Sequence, residues 1–433
     1  MSFKMNKKIQ EIIQNLIIAL TVSFAALSLG AAFGVLSGRS NGALIGMLSA
    51  GLIALVTSLF GGTRLQCSGP TGPMTAMITP VIQAASVGII SAWGYDNINI
   101  ANPDHFVNIV ILLSSLLIIL CGILKLGTFI KLVPQPVISG FMDGIAIIIV
   151  VSQIDKLFGL GQAKAFEGIL YINILVAVST LILIFIIPKL LNIISKHLPR
   201  FMPGTLASIL LMTLISNLFP LNIENINISN NLNNLSDLKA IFIEQLPTDW
   251  SYVIIIAALP FAFQLTMLCY LDTLLTSLVI DKMTKEKTKQ NKELVAQGTA
   301  NGLVAFIGGI PGAQATIRSV LLVKEGATLR LAGIAVGFLV IFEVLMLSQW
   351  MTLIPQAVFT GVLLKVAYDV FDWKPIISWI KLLLNKKTNS QINKDVIFII
   401  GTMLVTVIWN LNIAVIGFTI LFHILNKINN EKA

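Results

Sequence analysis

Asp272 is the residue in this chain whose position asks most for an explanation. It lies in the apolar run 252–280, about eight residues before Asp281 and Lys282, so at 1.5 Å per residue it is roughly 12 Å inside the end of its helix. A carboxylate near a bilayer centre costs at least about 2.5 to 3.5 kcal/mol and needs a partner. Thr276 is four residues on and shares its helix face. Two interrupted apolar runs offer further polar groups: Cys67-Ser-Gly-Pro-Thr-Gly-Pro-Met-Thr75 and Gly308-Gly-Ile-Pro-Gly-Ala-Gln-Ala-Thr316. A broken helix inside a bilayer frees backbone N–H groups that lipid cannot satisfy, so each break must face protein, water or a ligand. The Asp272 carboxylate, the Thr276 hydroxyl and the groups around Ala315 and Thr316 would make an oxygen cage suited to Na⁺. On the alternative reading Asp272 only caps the break or bonds Thr316, or it takes a proton in place of sodium.

If the two breaks meet head to head, each helix N-terminus presents about +0.5 of an elementary charge with unpaired N–H donors, which favours an anion between them. The expected substrate donors are the backbone N–H groups and hydroxyls of Thr71, Gly72, Met74 and Thr75, with Ala315 and Thr316. Arg318 either adds a positive field there or snorkels toward Lys324. Phe33, in Gly30-Ala-Ala-Phe-Gly34, either closes the pocket or packs the first helix. Lys365 and Asp369 pair at i, i+4, whereas Asp143 and Glu343 have no evident partner. His105, His197 and His423 lack ligand spacing, and Cys67, Cys121 and Cys269 are far apart in apolar segments. Neither a zinc site nor a disulfide framework is expected, and no Ser/His pair or metal motif supports an enzyme.

The elements that must position these groups are membrane helices. Of 433 residues 56% are hydrophobic and 11% charged, with a mean hydropathy of +0.89, which excludes a soluble globular domain. About fourteen apolar stretches fill the chain, several near the roughly 20 residues that span a bilayer. The net charge of +9 fits the positive-inside rule better than a nucleic-acid partner. Lys4, Lys7 and Lys8, then Lys189, Lys196 and Arg200, then the lysines of 282–292 and 374–394 share one side if both termini are cytoplasmic. Asp96, Asp104 and the Asn-rich stretch 221–249 fall on the other. The first apolar run lacks a cleavage pattern and reads as a retained helix, in a multi-pass plasma (inner) membrane protein.

Lys131-Leu-Val-Pro-Gln-Pro-Val-Ile-Ser-Gly140 is echoed by Thr352-Leu-Ile-Pro-Gln-Ala-Val-Phe-Thr-Gly361, and each echo follows a Gly-Gly pair and a broken helix in the same order. This points to an internal duplication. With about seven segments per half, an odd number, the second half enters from the opposite side, giving an inverted repeat. The expected fold is all-α and polytopic: fourteen segments as 7+7 inverted repeats, with two half-helices meeting at the membrane midplane. The expected divisions are 1–219, an extracytoplasmic loop at 220–250, and 251–433.

Ser68-Gly-Pro-Thr-Gly-Pro-Met-Thr75, the stretch 124–140, Leu271-Asp-Thr-Leu-Leu-Thr-Ser277 and Val323-Lys-Glu-Gly-Ala-Thr-Leu-Arg-Leu-Ala-Gly333 resemble the SulP inorganic anion transporters. The likeness covers essentially the whole chain, and the motif forms are most like those of the cyanobacterial sodium-dependent bicarbonate transporters. The resemblance implies a core domain carrying the site and a gate domain carrying much of a homodimer contact. It implies Na⁺ as coupling ion at Asp272, Thr276, Gln314 (backbone), Ala315 and Thr316, with no other cofactor, and an Arg beside the substrate at Arg318. The implied activity is Na⁺-coupled bicarbonate uptake by an elevator-type mechanism. Sulfate transport coupled to H⁺ or Na⁺, and an anion channel or exchanger on the same fold, are the alternatives. Helix dipoles and hydroxyls suit either anion, but a buried carboxylate favours cation coupling over a plain channel. Three departures from the family pattern stand out: the chain stops at Ala433, so no STAS domain is expected; Gln314 replaces a usual Gly; and Asn410-Leu-Asn412 lacks the usual Asp.

Overall fold

A computed structural model describes residues 7–87, 100, 102–160, 165–194, 204–219, 221–225, 243–248, 250–384, 390–409 and 411–431. Lys4, Asp96, Lys196, His197, Arg200, Asn410 and most of the 220–250 loop lie outside the described residues. The first half runs α1 (Lys7–Ser37), α2 (Gly42–Phe60), a short strand β1 (Ser68–Pro70), then α3 (Gly72–Val87), α4 (Pro103–Ile123), α5 (Gln135–Phe158), α6 (Leu170–Ile194) and α7 (Gly204–Leu218). The second runs α8 (Tyr252–Thr284), α9 (Gln290–Ala305), β2 (Gly312–Gln314), α10 (Thr316–Lys324), α11 (Leu331–Met351), α12 (Gln356–Val370), α13 (Trp373–Leu384), α14 (Ser390–Ile408) and α15 (Leu411–Glu431). The half-helix after the second break thus starts at Thr316, because Gly312–Gln314 is drawn into a strand. One helix, α13 at Trp373–Leu384, overlaps the lysine-bearing stretch 374–394, which the sequence gives only as a charged connection.

The apolar runs make the helices, and turn chemistry ends them. Asn102 caps α4 by accepting from the Asp104 N–H, with Pro103 at the first helical position. Gly159 closes α5 in the left-handed conformation. Among the described residues, α1, α2, α4, α5, α6 and α8 are long and apolar enough to cross a bilayer on length and composition. Others are shorter, more polar or described only in part. The polar α9 is tolerated because it packs against α2, α4 and α8 rather than lipid.

Helix packing shows the inverted repeat directly. Exchanging the two halves maps α1 to α8, α2 to α9, α4 to α11, α5 to α12, α6 to α14 and α7 to α15, with α13 as an insertion. Under that exchange the α4–α9 contact becomes α11–α2, α1–α11 becomes α8–α4, α5–α14 becomes α12–α6, and α1–α7 becomes α8–α15; all of these pairs are in contact. The contacts also divide the chain into two bodies. One, the core, holds α1–α4 and α8–α11; the other, the gate, holds α5–α7 and α12–α15. They meet mainly through α1–α12, α3–α5, α1–α7 and α8–α15.

The start of α1 and the last turns of α15 sit on one face of the bundle. Asn15 near the start of α1 donates to Thr328 at 3.1 Å, and His423 of α15 contacts the Leu132 carbonyl at 2.8 Å. The opposite face carries the α1–α2 turn, the start of α4, and the bridges Gly168–Ile223 and Asn225–Pro355.

Candidate ion-binding site

The site is built where the two breaks cross. β1 and β2 pair antiparallel with Ser68 opposite Gln314, Gly69 opposite Ala313 and Pro70 opposite Gly312. A Cβ on Gly312 would lie 2.2 Å from the Gly69 carbonyl oxygen, so only glycine lets the strands approach this closely. Because the strands are antiparallel, α3 and α10 leave in opposite directions with both N-termini inside the bundle. The first helical bond of α3 is Thr75 N–H to Thr71 C=O, and that of α10 is Ser319 N–H to Ala315 C=O. The amides of Gly72 and Met74, and of Thr316, Ile317 and Arg318, therefore lie outside the helical ladders.

These helix starts border a cavity of about 250 Å³, lined also by Phe33 of α1, Asp272 of α8, Met142 of α5, and Val366 and Asp369 of α12. Since a water occupies about 30 Å³ of liquid volume, a small oxyanion and several waters fit. Asp272 is 8% exposed, and its Oδ2 accepts from the Thr71 hydroxyl at 2.7 Å. Its other oxygen has no protein partner among the described residues. One turn further on, the Thr276 and Thr316 hydroxyls are 2.5 Å apart. This all-oxygen set is the kind a hard cation such as Na⁺ prefers.

Arg318 does not snorkel to the surface. It is 1% exposed, its Nη2 donates to the Pro70 carbonyl at 2.8 Å, and its Nε and Nη1 lack hydrogen-bond partners among the described residues. A Cβ on Gly69 would lie 2.7 Å from Nη1, so glycine there makes room for the guanidinium. Arg318 and Asp272 face one cavity without forming an ion pair. Two buried charges not spent on each other are costly in a purely structural role, and such groups concentrate at functional sites.

Of the residues singled out from the sequence, Phe33, Thr71, Gly72, Asp272, Ala315, Thr316 and Arg318 line this cavity. Met74 and Thr75 do not. Both are fully buried, and the Thr75 hydroxyl has no partner; only the Met74 amide remains at the helix start. Thr276 reaches the site through Thr316. The Gln314 side chain turns away from the cavity, with its Oε1 accepting from the Thr63 hydroxyl at 3.4 Å. Asp143 and Glu343 do find partners: Asp143 accepts from the Asp372 amide at 2.7 Å and Glu343 from Ser23 at 2.6 Å. Lys365 and Asp369 pair as expected.

Two supporting groups escaped the sequence reading. On α9, Glu293, Gln297 and Asn301 recur every four residues and bind the loop leading into the first break and the second break itself. Glu293 accepts from the Thr63 amide at 2.7 Å, while Gln297 and Asn301 each donate to the Gly312 carbonyl at 2.9 Å. That i, i+4, i+8 polar row was a readable signal. The second group is Arg39, which joins Asp104 at 2.9 Å, Asn108 at 2.7 Å and the Gly309 carbonyl at 3.0 Å. Asp104 reads in sequence as an ordinary loop charge, and nothing local marks it as a buried partner.

A model of the sulfate permease family matches residues 12–388. The chain belongs to the sulfate permease family. It is 31% identical over 414 residues to the bicarbonate transporter BicA of Picosynechococcus, covering 92% of this chain and 67% of that protein. It is 28% identical over 418 residues to the putative sulfate transporter YvdB of Bacillus subtilis, covering 94% and 72% respectively. The fold superposes on the transmembrane domain of a cyanobacterial BicA with a TM-score of 0.76 at 29% identity, covering 96% of this chain and 98% of that one. The murine anion transporter Slc26a9 in its inward-facing state shares the fold, with a TM-score of 0.69 at 17% identity over 98% of this chain and 70% of that one. As a sulfate permease family member the chain is a multi-pass membrane anion transporter.

Proposed function

We propose that this protein takes up bicarbonate together with Na⁺, moving its site by an elevator-type displacement of the core against the gate. The observation that carries the reading is a single cavity that holds an unpaired guanidinium, an unpaired carboxylate and two sets of helix-start amides. The anion is received by the amides of Gly72, Met74, Thr316 and Ile317, in the positive field of the buried Arg318. Na⁺ is received by Asp272, by the Thr276 and Thr316 hydroxyls, and by backbone carbonyls at Gln314 and Ala315. The cation offsets the repulsion between Asp272 and the anion, so each ligand raises the affinity for the other, and this mutual gain is the coupling.

The packing supports a moving core. Exchange of the halves relates the seam between α3 and α5 to the seam between α10 and α12, yet α3 packs against α5 while α10 has no comparable contact with α12. The cavity occupies the open seam, with Ile317 and Arg318 on one side and Val366, Asp369 and Val370 on the other. With both termini cytoplasmic, this is the inward-open arrangement, and closing α10 onto α12 while freeing α3 from α5 would produce its counterpart. A homodimer in the plasma membrane belongs to the same reading.

Proteoliposome uptake of labelled bicarbonate and labelled sulfate, each with and without an inward Na⁺ gradient, tests it. Bicarbonate uptake that requires Na⁺ is the expected result. The sulfate reading has its own support, because the same helix-start amides and the positive field of Arg318 suit a dianion; Na⁺-independent sulfate uptake would replace the proposal with that one.

A further inference from the structure

Outside the cavity, the group of residues with the least settled role is α13, the most strongly amphipathic of the described helices. Its residues divide into three arcs at 100° per residue. Ile376 and Trp379 are half-buried, and the only extensive helix contact of α13 is with α14. Trp373, Ile377, Ile380 and Leu384, at i, i+4, i+7 and i+11, form a second arc and are 41, 44, 45 and 77% exposed. Lys374, Ser378 and Lys381 form a third, exposed arc beside the apolar one, and neither lysine has an ion-pair partner among the described residues. The helix joins α12 to α14 on the face that carries the chain termini.

We infer that α13 lies in the plane of the membrane surface and binds anionic lipid, with its exposed apolar arc among the acyl chains and Lys374 and Lys381 against the headgroups. An arc of large apolar side chains cannot be left in water beside a bilayer, and cations flanking it select anionic headgroups over zwitterionic ones. A tryptophan at the start of the arc suits the interfacial level. Charge complementarity therefore favours the lipid surface over a second copy of the chain, which would place like charges together.

The anchor is fastened to the wall of the cavity. Asp372, just before α13, donates its amide to Asp143 at 2.7 Å and accepts from Ser139 at 2.7 Å, both on α5. The Trp373 indole donates to the Tyr368 carbonyl of α12 at 3.0 Å, and its ring stands 4.4 Å from that of Phe371. Lipid held by α13 thus holds α5 and the last turn of α12, and with them Met142, Val366 and Asp369. Lipid binding stands independently of the transport reading; its effect on turnover rests on that reading.

The test uses the full chain with Cys121 replaced and an environment-sensitive fluorophore on Ile380→Cys, reconstituted in phosphatidylcholine vesicles with or without phosphatidylglycerol. Spin-labelled phosphatidylglycerol should quench the fluorophore several-fold more effectively than spin-labelled phosphatidylcholine. Each lysine contributes roughly five-fold to that preference, so the pair Lys374→Gln and Lys381→Gln should abolish it without changing the thermal stability of these exposed positions. Anion uptake by the unmodified chain should fall about three- to ten-fold without phosphatidylglycerol, and the double variant should ignore the change. Equal quenching by both lipids, retained preference in the double variant, or a fluorophore shielded from lipid that cross-links to a second copy would each overturn the inference. If no anion is transported at all, the quenching arm still decides it.

Discussion

The first break, residues 68–75, and the second, residues 312–318, follow one backbone plan, a short strand turning into a half-helix whose first amides face the cavity. Their side chains and their packing differ. The first break contributes Thr71, whose hydroxyl is committed to Asp272, and its half-helix is packed against the gate. The second contributes Thr316 and Arg318, and its half-helix borders the open seam. On the proposed reading, the repeated backbone supplies anion donors twice over. On the same reading, the unrepeated side chains, together with the asymmetry of the seams, distinguish one ion from the other and one face from the other.

The widest predicted difference concerns what holds each break. Arg39 ties the Gly309 carbonyl, just ahead of β2, to Asp104, and at the end of α2, ahead of β1, Arg330 donates to the Gly61 carbonyl at 3.0 Å and to that of Ser58 at 2.9 Å. Arg39 is 5% exposed, so Arg39→Met strands a buried carboxylate and should cost about 3 to 5 kcal/mol. Arg330 is half-buried and has no ion-pair partner among the described residues, so Arg330→Met should cost only about 1 to 3 kcal/mol. Thermal unfolding in detergent measures both, and equal losses would remove this distinction between the breaks.

Next is the carboxylate itself. Asp272→Asn keeps the shape and an acceptor for Thr71 but discharges the cation set, and should lower Na⁺-driven uptake at least about 100-fold, some 2.7 kcal/mol. Thr71→Val removes only the hydroxyl that orients it and should cost about ten-fold, or 1.4 kcal/mol. Full Na⁺-driven uptake by the Asn variant would break the assignment of the cation to the second break.

The seams can be exchanged more gently. A Cβ on Gly72 would fall 2.9 Å from Ile149 Cδ1, the tip of a flexible side chain, so Gly72→Ala should loosen the α3–α5 seam without unfolding the protein. Labelling of Gln83→Cys from the face opposite the termini should quicken about three- to ten-fold, a shift of roughly 1 kcal/mol in the conformational balance, and adding Ile149→Ala should reverse it. Unchanged labelling would mean that the closed seam is held elsewhere.

The smallest effect is expected at Gln314. Its side chain points to Thr63 and its Nε2 is buried without a partner, so Gln314→Gly removes an unsatisfied amide and leaves the backbone acceptor. The Na⁺ concentration for half-maximal uptake should move only about two- to three-fold, within about 1 kcal/mol, with the anion dependence unchanged. A loss as large as that of Asp272→Asn would make the side chain part of the cation set.

Most of the architecture was legible because a bilayer leaves few choices. Apolar runs must be helices, breaks must be shielded, and a repeated Pro-Gln motif after each break reveals the duplication. Asp272 was legible for the same reason, since its cost in lipid demands a function. The α13 helix was hidden because its lysines read as an orientation signal, and only helical phasing shows that they flank an apolar arc. Arg318 carried two readings that its spacing cannot separate, because snorkelling and burial begin from the same position on a short helix.

By itself, the sequence determined a membrane protein with two half-helices, a duplicated plan and, in Asp272, a carboxylate deep in an apolar run that had to be accounted for. These follow from local chemistry, namely transfer cost, turn residues and periodicity. Only the tertiary structure decided that Arg318 points inward and stays unpaired from Asp272, that Arg39 and the polar row of α9 hold the breaks, and that one seam is closed while its counterpart is open. Each depends on which groups from distant parts of the chain come within a few ångströms of one another, and no spacing within a single segment carries that information.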